Sequence, residues 1–241
     1  MQHHRPNRKP SPPNIQQMAH LLENSGIRIN KEQLEQLWRY HNLIRKHNDD
    51  RDLTRITDFH QMVLKHYVDC LIVGKFATLP SPLLDIGTGA GFPGIPLKIR
   101  YPHLKMVLAE HRPRRVEFLK RVIHDLGLKH IQVFDHKVVS RSFQEPVQGV
   151  ITRALETIDK TLLRTSASLE KGGQVYFLKG PNVDPEIHEV QRRFDGKFRL
   201  VQDEHYRLPG TAHERRLVVY EKLVERELPK EIPHGSGNEE L

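Results

Sequence analysis

The spacing of apolar residues changes once along the chain, near Leu83. Upstream of it, apolar residues recur three and four positions apart, which is the spacing of one helix face. The longest such pattern begins after Asn30 and the next after Asp58, both residue types that commonly cap a helix, and a shorter helix is expected over residues 15–23. Downstream, short apolar runs alternate with helical patterns. The sequence therefore predicts a set of helices followed by alternating strands and helices.

Five short apolar runs in the second region have the length of buried strands. They occupy residues 83–86, 106–109, 131–134, 149–152 and 175–178. Two further runs, residues 198–203 and 216–221, are expected to form an antiparallel hairpin at the sheet edge. Strands that alternate with helices are typical of a parallel, doubly wound sheet. We therefore expect an α/β fold in which a doubly wound sheet carries an N-terminal helical cap.

Helix and turn signals fill the segments between these runs. Pro113 marks the start of one helix and Gly127 its end. A second helix is expected over residues 157–169, closed by a turn at residues 171–173, and a third near residues 185–194.

Composition divides the chain into four parts. Residues 1–13 are rich in proline and basic residues without apolar periodicity, and we interpret them as a disordered basic arm. Residues 14–78 form the predicted helical cap, and residues 79–224 the domain built on the sheet. Residues 225–241 are polar and acidic, so we expect a flexible acidic tail.

The overall composition is that of a folded chain without a membrane span. Its 241 residues are 37% hydrophobic, and no apolar run approaches the roughly 20 residues of a transmembrane helix. The N-terminus lacks the apolar segment of a secretory signal. Cys70 is the single cysteine, which predicts the reducing cytoplasm, and the 16 histidines show no metal-binding spacing, so no metal site is expected.

The charge balance is positive. The 38 lysine and arginine residues against 30 aspartate and glutamate residues give +8, and five glutamates lie in residues 225–240, so the remainder is more basic still. Basic surfaces bind polyanions through counterion release, which makes nucleic acid the first partner to consider. A protein that is merely basic is the alternative.

The most informative stretch is LLDIGTGAGFPGIPL, from Leu83 to Leu97. It carries four glycines directly after the first strand, where an open α/β sheet binds its ligand. The run G-A-G-F-P-G formally matches the dinucleotide fingerprint. Two features oppose that interpretation. Asp85 lies at the end of the strand, where it would repel a pyrophosphate, and Pro93 and Pro96 remove N–H donors from the helix start.

An acidic residue at this position suits a cationic ligand. S-adenosylmethionine carries an ammonium and a sulfonium group but no phosphate, and its ribose needs an acidic partner at the end of the second strand, where Glu110 lies. The residues therefore favour a methyl-donor loop. A nicotinamide loop and a purely structural turn are the alternatives.

Several blocks of sequence match one known family in order and spacing. They are HNDDRDLTRI, HYVDCLIV, DIGTGAGFPGIPLKI, LAEHRPRRVEFL, GVITRA, FLKG and LPGTAHERRLVVYEK, spread over about residues 34–223. Together they resemble the bacterial 16S ribosomal RNA guanine-N7 methyltransferases, the RsmG/GidB family. The resemblance implies a class I methyltransferase (Rossmann-like) sheet with an N-terminal helical cap. It also implies methylation of a guanine N7, with 16S rRNA or the small ribosomal subunit as partner and S-adenosylmethionine as cofactor.

Loop chemistry and resemblance together give a set of cofactor-binding residues. Glu110 matches the family's ribose-binding acid, Val138 and Val139 its adenine side, and Arg153 its S-R-A motif. The family usually has a carboxylate near Val139, and its absence predicts a contact through the backbone. For Arg153, a salt bridge to Asp85 or Glu110 is the alternative. The predicted cofactor-binding residues are Asp85, Gly87, Gly89, Phe92, Glu110, Val138, Val139 and Arg153.

Two clusters of arginines are predicted to bind RNA. Arg112, Arg114 and Arg115 lie near the start of a helix beside the expected cofactor edge, and Arg215 and Arg216 lie near the last strand. A solvated surface is the alternative for both clusters.

No residue is assigned a catalytic role. Guanine N7 carries an unshared electron pair and no proton, so methyl transfer needs positioning but no general base. Phe92 and Arg153 are candidates for stacking on the base. A methyltransferase of the same fold acting on another substrate, and an RNA-binding relative without turnover, are the alternatives. We expect a monomer.

Overall fold

The computed structural model describes residues 12–139, 142–143 and 145–225. Most of the arm predicted for residues 1–13 and of the tail predicted for residues 225–241 therefore lies outside the described residues.

Two helices open the cap. They are α1 (Ile15–Asn24) and α2 (Lys31–Arg51). Each begins after an asparagine, Asn14 or Asn30, whose side chain accepts a hydrogen bond from the backbone N–H three residues later. In both cases the glutamine at that position bonds back to the asparagine N–H, which completes a capping box. The N-cap predicted at Asn30 is confirmed.

A third helical segment of changing pitch completes the cap. It starts after the predicted cap Asp58 as α3 (Phe59–Met62) and widens into a π-helical stretch (Val63–Val68). It then tightens through α4 (Asp69–Leu71) and a 3₁₀ turn (Ile72–Lys75). π-Helical turns are rare and often mark functional sites.

The sheet has seven strands in the order β3-β2-β1-β4-β5-β7-β6. Strands β1 to β5 are parallel, and β7 pairs antiparallel with both β5 and β6. The strands are β1 (Leu83–Ile86), β2 (Met106–Ala109), β3 (Ile131–Phe134), β4 (Val147–Arg153), β5 (Leu169–Lys179), β6 (Phe198–Arg207) and β7 (Glu214–Lys222). The helices between them are α5 (Gly94–Arg100), α6 (Pro113–Asp125), α7 (Ile158–Thr165) and α8 (Asp184–Arg193). The predicted doubly wound sheet with an antiparallel hairpin at its edge is confirmed.

The start of β5 differs from the prediction. The helix expected over residues 157–169 ends earlier, and the turn expected at residues 171–173 lies inside the strand, with Gly172 at φ 79°. The cause is tertiary, because Leu169 pairs with Val147 of β4 and is fully buried in the core. An apolar spacing compatible with a helix could not reveal that pairing.

Adjacent residues of each strand serve two separate cores. Leu83 packs with the cap, α5 and α6 on one face, whereas Leu84 packs with α7 and α8 on the other. The cap therefore shares one continuous core with the sheet. No helix among the residues described is long and apolar enough to cross a membrane.

Candidate functional site

The glycine loop turns sharply between β1 and α5. Three of its glycines have positive φ, 71° at Gly87, 60° at Gly89 and 110° at Gly91. A side chain at Gly91 would also collide with Ile95, since an added Cβ would lie 2.5 Å from Ile95 Cγ1. Glycine is therefore required there both by backbone conformation and by space.

The N–H groups at the start of α5 are used within the loop. Gly91 and Phe92 donate to the Thr88 carbonyl at 2.9 and 2.8 Å, and Ile95 donates to the Gly91 carbonyl at 2.7 Å. Gly94 donates to the carboxylate of Asp85, the third residue of β1. Pro93, which precedes Gly94, has no N–H. A pyrophosphate would find no free helix N-terminus here, which argues against a dinucleotide.

The placement of Asp85 differs from its predicted role as a ligand contact. The side chain is fully buried beneath the loop, where Oδ2 accepts hydrogen bonds from Thr88 Oγ1 at 2.5 Å and from Gly94 N at 2.7 Å. Burial raises the pKa of this carboxyl to about 7, although both hydrogen bonds oppose the shift. Asp85 therefore holds the loop in shape instead of reaching into the cavity.

A cavity of about 400 Å³ opens beside the loop. Its walls are the loop, the π-helical stretch of the cap and the ends of β4, β5 and β7. Its charged lining residues are Lys65, Asp69, Arg153, Lys179 and Arg215. Such a position, at the carboxyl ends of parallel strands, is the usual ligand site of this fold class.

Arg153 crosses from β4 to the cap. Its Nη1 donates to the Lys65 carbonyl at 2.8 Å and to Asp69 Oδ2 at 3.2 Å. The alternative interpretation of Arg153 was a salt bridge to Asp85 or Glu110. Arg153 does form a salt bridge, but its partner is Asp69. The guanidinium also lies 5.2 Å from the centre of the Phe92 ring.

His66 was not identified from the sequence and lies at the centre of these contacts. Arginine is only a donor, so His66 Nδ1 accepts from Arg153 Nη2 at 3.1 Å, and Nε2 must carry the proton shared with Thr54 Oγ1 at 2.7 Å. Burial and the neighbouring Arg153 lower its pKa to about 3. The ring is therefore neutral, and both its nitrogens are occupied.

Phe92 is a wall of the cavity. Its ring stacks on His66 at 4.5 Å between centroids and packs against Tyr40 at 5.5 Å, and the residue is only 6% exposed. The proposed role in stacking on a base finds no open ring face here.

Asp69 was also missed. It is 3% exposed and binds Arg153 through Oδ2 and Arg215 Nε through Oδ1, the latter at 3.1 Å. The available signal was two polar residues within an apolar helical pattern. His66 and Asp69 are the first and fourth residues of the block HYVDCLIV.

Glu110 directly follows β2, and one of its two carboxylate oxygens is hydrogen-bonded. Oε1 accepts from the N–H groups of His111 and Arg112 at 2.8 and 2.9 Å. Oε2 makes no hydrogen bond within the described part of the chain and lies 4.0 Å from Arg115 Nη1. This oxygen is available to a hydroxyl pair.

The two valines beyond β3 differ in exposure. Val138 is buried in the core on the α7 side, whereas Val139 is 57% exposed. Both follow the same end of the sheet as Glu110, whose N–H bonds to the Phe134 carbonyl that ends β3.

A leucine after β4 covers part of the loop. An added Cβ at Gly87 would lie 2.5 Å from Leu155 Cδ1, and Leu155 itself is 41% exposed. It follows Ala154, which has φ 53° and lines the cavity. A non-glycine residue in this conformation is uncommon and is concentrated at functional sites.

The predicted RNA-binding cluster at α6 contacts the cap. Arg114 donates to the Asp50 carbonyl at 3.1 Å, and Arg115 donates to the Asp52 carbonyl and lies 3.3 Å from its carboxylate. Arg112 is exposed. Two of the three arginines thus join α6 to the end of α2.

Arg216 is a correction. It lies on the opposite face of β7 from Arg215, is 3% exposed, and binds Asp203 at 2.9 and 2.5 Å and Asp184 at 2.6 Å. The sequence predicted RNA binding for Arg216, but its guanidinium is enclosed by two carboxylates. Its role is structural.

A solved structure supports the fold. The ribosomal protein L11 methylase from Lactobacillus delbrueckii subsp. bulgaricus superposes with a TM-score of 0.50 at 12% identity, covering 66% of this chain and 79% of that one. At this identity the likeness concerns the class I methyltransferase fold alone.

Sequence relatives are much closer. A ribosomal RNA small subunit methyltransferase G 2 of Syntrophobacter fumaroxidans is 47% identical over 88% of this chain, which spans 42% of that relative's length. A protein of the same name from Bdellovibrio bacteriovorus is 42% identical over 89% of this chain and 84% of its own length. The family model for rRNA small subunit methyltransferase G matches residues 33–218. As the resemblance predicted, the chain belongs to the rRNA small subunit methyltransferase G (GidB) family.

Proposed function

We propose that this protein transfers a methyl group from S-adenosylmethionine to the N7 atom of a guanine in 16S rRNA. The observation that carries the proposal is the glycine loop. Within the described residues, the N-terminus of the following helix has no free donor for a phosphate, while Glu110, after β2, keeps one carboxylate oxygen without a hydrogen bond. This combination suits a nucleoside cofactor without phosphate. Family membership supplies the substrate class.

The residues at the end of the sheet fit such a cofactor. The open backbone at Gly89 and the backbone at Gly87, beside Leu155, would lie against it. Glu110 Oε2 would accept from its ribose hydroxyls, and Val138 and Val139 would flank its adenine. When bound, the cofactor supplies an electrophilic methyl group on a sulfonium. Arg153 and Phe92 would form the wall on the substrate side.

The proposed reaction needs no general base from the protein. Guanine N7 has no proton to remove, and the only histidine lining the cavity, within the part of the chain described, is His66, neutral with both nitrogens bonded. Rate enhancement would come from holding the base in line with the methyl group and from excluding water. We therefore assign no catalytic residue.

The arginines beside the cavity are proposed to bind RNA phosphates. Arg112 and Arg114 are exposed at the start of α6, Arg115 is partly exposed beside Glu110, and Arg215 lines the cavity. Arg216 is excluded from this group because two carboxylates enclose it.

The decisive experiment maps N7-methylguanosine in small-subunit rRNA. We expect one modified guanine in the parent strain, none in a strain lacking this gene, and restoration by the purified protein with S-adenosylmethionine. Persistence of every such modification in the deletion strain would overturn the rRNA assignment. Absence of heat when S-adenosylmethionine is titrated into the protein would overturn methyltransferase activity altogether and leave an RNA-binding relative.

One hydrogen bond from the cap is expected to support the cofactor loop. Tyr40 Oη, fully buried, donates to the Ala90 carbonyl at 2.7 Å. Tyr40→Phe leaves that carbonyl unsatisfied, so we expect a loss of about 1 kcal/mol in unfolding free energy and roughly threefold weaker cofactor binding. Urea unfolding and calorimetric titration measure the two effects.

Tyr176→Phe is the matched control. Tyr176 Oη also donates to a backbone carbonyl, that of Thr78 at 3.2 Å, but Thr78 lies in the segment before β1, whereas the glycine loop follows β1. Its loss is expected to lower stability without changing cofactor affinity. Equal effects of both variants on affinity would contradict the role of Tyr40.

We further propose that the protein acts as a monomer in the cytoplasm, and that residues 14–78 and 79–224 work as one unit. The core shared by cap and sheet supports the last point. The elution volume on size-exclusion chromatography, with and without rRNA, tests the monomer.

A further inference from the structure

One buried carboxylate of the cap holds two arginines from two different strands. Asp69 gives Oδ2 to Arg153, at the end of β4, and Oδ1 to Arg215, near the start of β7. Both arginines line the cavity, and each binds a different carboxylate oxygen of Asp69. The position of either guanidinium thus depends on a residue of the third helical segment, to which neither is close in sequence.

The second arginine has donors left over. Arg215 Nε is bound by Asp69 and Nη1 by the carbonyl of Glu214, but Nη2 makes no hydrogen bond within the described residues. Its side chain is 23% exposed. Arg216, the next residue, uses its guanidinium on two carboxylates instead. Only Arg215 of this pair presents free N–H groups to a ligand.

The charge of the cavity calls for an anion. Lys179 is paired with Glu186 at 2.8 Å, which leaves Lys65, Arg153 and Arg215 facing the single carboxylate of Asp69. The proposed cofactor adds an ammonium and a sulfonium and only one carboxylate, so its binding does not remove the positive excess. An RNA phosphate reduces it, and arginine forks match phosphate geometry.

We propose that Arg215 binds a backbone phosphate of the target RNA strand and that Asp69 is the positioning residue that aims it, with Arg153 fixed on the same carboxylate at the wall beside Phe92. The inference rests on the proposed function for the identity of the RNA, but the anion site itself is defined by these residues. The methionine carboxylate of the cofactor is the competing source of an anion.

The test compares Asp69→Asn, Arg215→Gln and their double variant with wild type. Binding of a fluorescently labelled single-stranded RNA is measured by anisotropy over a salt series, and S-adenosylmethionine binding by calorimetry. We expect each single variant to weaken RNA binding about tenfold and to reduce the slope of log affinity against log salt by about 0.7, one phosphate contact. The double variant should be no weaker than either single one, because Asp69 acts through Arg215.

Asp203→Asn is the matched control. Asp203 pairs with Arg216 on the opposite face of β7, so this variant should cost stability without changing the salt slope. Because Asp69→Asn risks misfolding, its thermal unfolding is recorded beside that of Asp203→Asn, and Arg215→Gln, on the cavity surface, tests the site independently. In steady-state assays on unmodified small subunits, the two cavity variants should raise KM for RNA about tenfold with kcat changed less than twofold.

Three results would overturn the inference: an unchanged salt slope in Arg215→Gln, additive losses in the double variant, or weakened cofactor binding with unchanged RNA binding, which would assign the anion site to the methionine carboxylate. Failure of the proposed function would be seen separately as a wild-type protein that binds RNA but transfers no methyl group.

Discussion

Glu110→Ala is expected to weaken S-adenosylmethionine binding about 100-fold, or about 2.8 kcal/mol. Glu110 is 5% exposed, and its Oε2 is the one carboxylate oxygen at the end of β2 without a hydrogen bond in the described structure. Charge-assisted hydrogen bonds to a ribose would be lost entirely in this variant. Calorimetric titration measures the affinity, and competition with S-adenosylhomocysteine should show the same loss, because both molecules carry the ribose.

The isosteric variant separates two roles of Glu110. Glu110→Gln keeps an oxygen that accepts from the N–H groups of His111 and Arg112 but loses the charge, so we expect roughly tenfold weaker binding with little change in stability. Glu117→Gln is the control, since that exposed carboxylate binds Arg51 on the cap. An affinity within threefold of wild type for Glu110→Ala would show that the ribose lies elsewhere.

Strand alternation explains why one of two neighbouring arginines was assigned wrongly. Side chains of adjacent strand residues point to opposite faces, so Arg215 and Arg216 could not both reach one ligand. That much was available from the sequence. Which face borders the cavity depends on where the cap packs, and the cap meets the sheet through contacts between residues more than 100 positions apart, such as Asp69 with Arg215.

Asp85 illustrates a different limit. Its position at the end of β1 was predicted correctly, and the loop's unsuitability for pyrophosphate follows from the hydrogen bonds of the folded loop. One of its two hydrogen-bond partners is the N–H of Gly94, nine residues away, and only the three-dimensional turn brings the two together. A charge pattern indicates which ligand charges a loop tolerates, but not whether the carboxylate faces the ligand or the loop.

The cavity wall formed by the cap was the least predictable part. His66 lies on the apolar face of a predicted helix, so the sequence pattern is equally compatible with a core residue and with a residue of the functional site. In the structure, the π-helical stretch leaves the Lys65 carbonyl to Arg153 and turns His66 onto Phe92. Such a local change of helical pitch produces no distinct spacing of apolar residues in the sequence. Rules based on the periodicity of regular helices therefore do not detect it.

Gly89→Ala is expected to weaken cofactor binding about 30-fold while costing the protein only backbone strain. At this position φ is 60°, and an added Cβ meets nothing closer than Arg115 Nη1 at 3.8 Å, so the methyl group fits the chain itself. If the cofactor lies against this backbone, the methyl group takes its space, at a cost of about 2 kcal/mol. Gly127→Ala is the control, because Gly127 has φ 62° and no atom within 4 Å of an added Cβ. It lies just past the end of α6, whereas Arg115, which faces Gly89, lies in the first turn of that helix. Both variants should lower the unfolding free energy by a similar amount, about 1 kcal/mol, from the left-handed conformation. Only Gly89→Ala should lose affinity in calorimetric titration with S-adenosylmethionine. Equal affinity in the two variants would mean that the cofactor does not approach the open backbone at Gly89, and the glycines would then serve the turn alone.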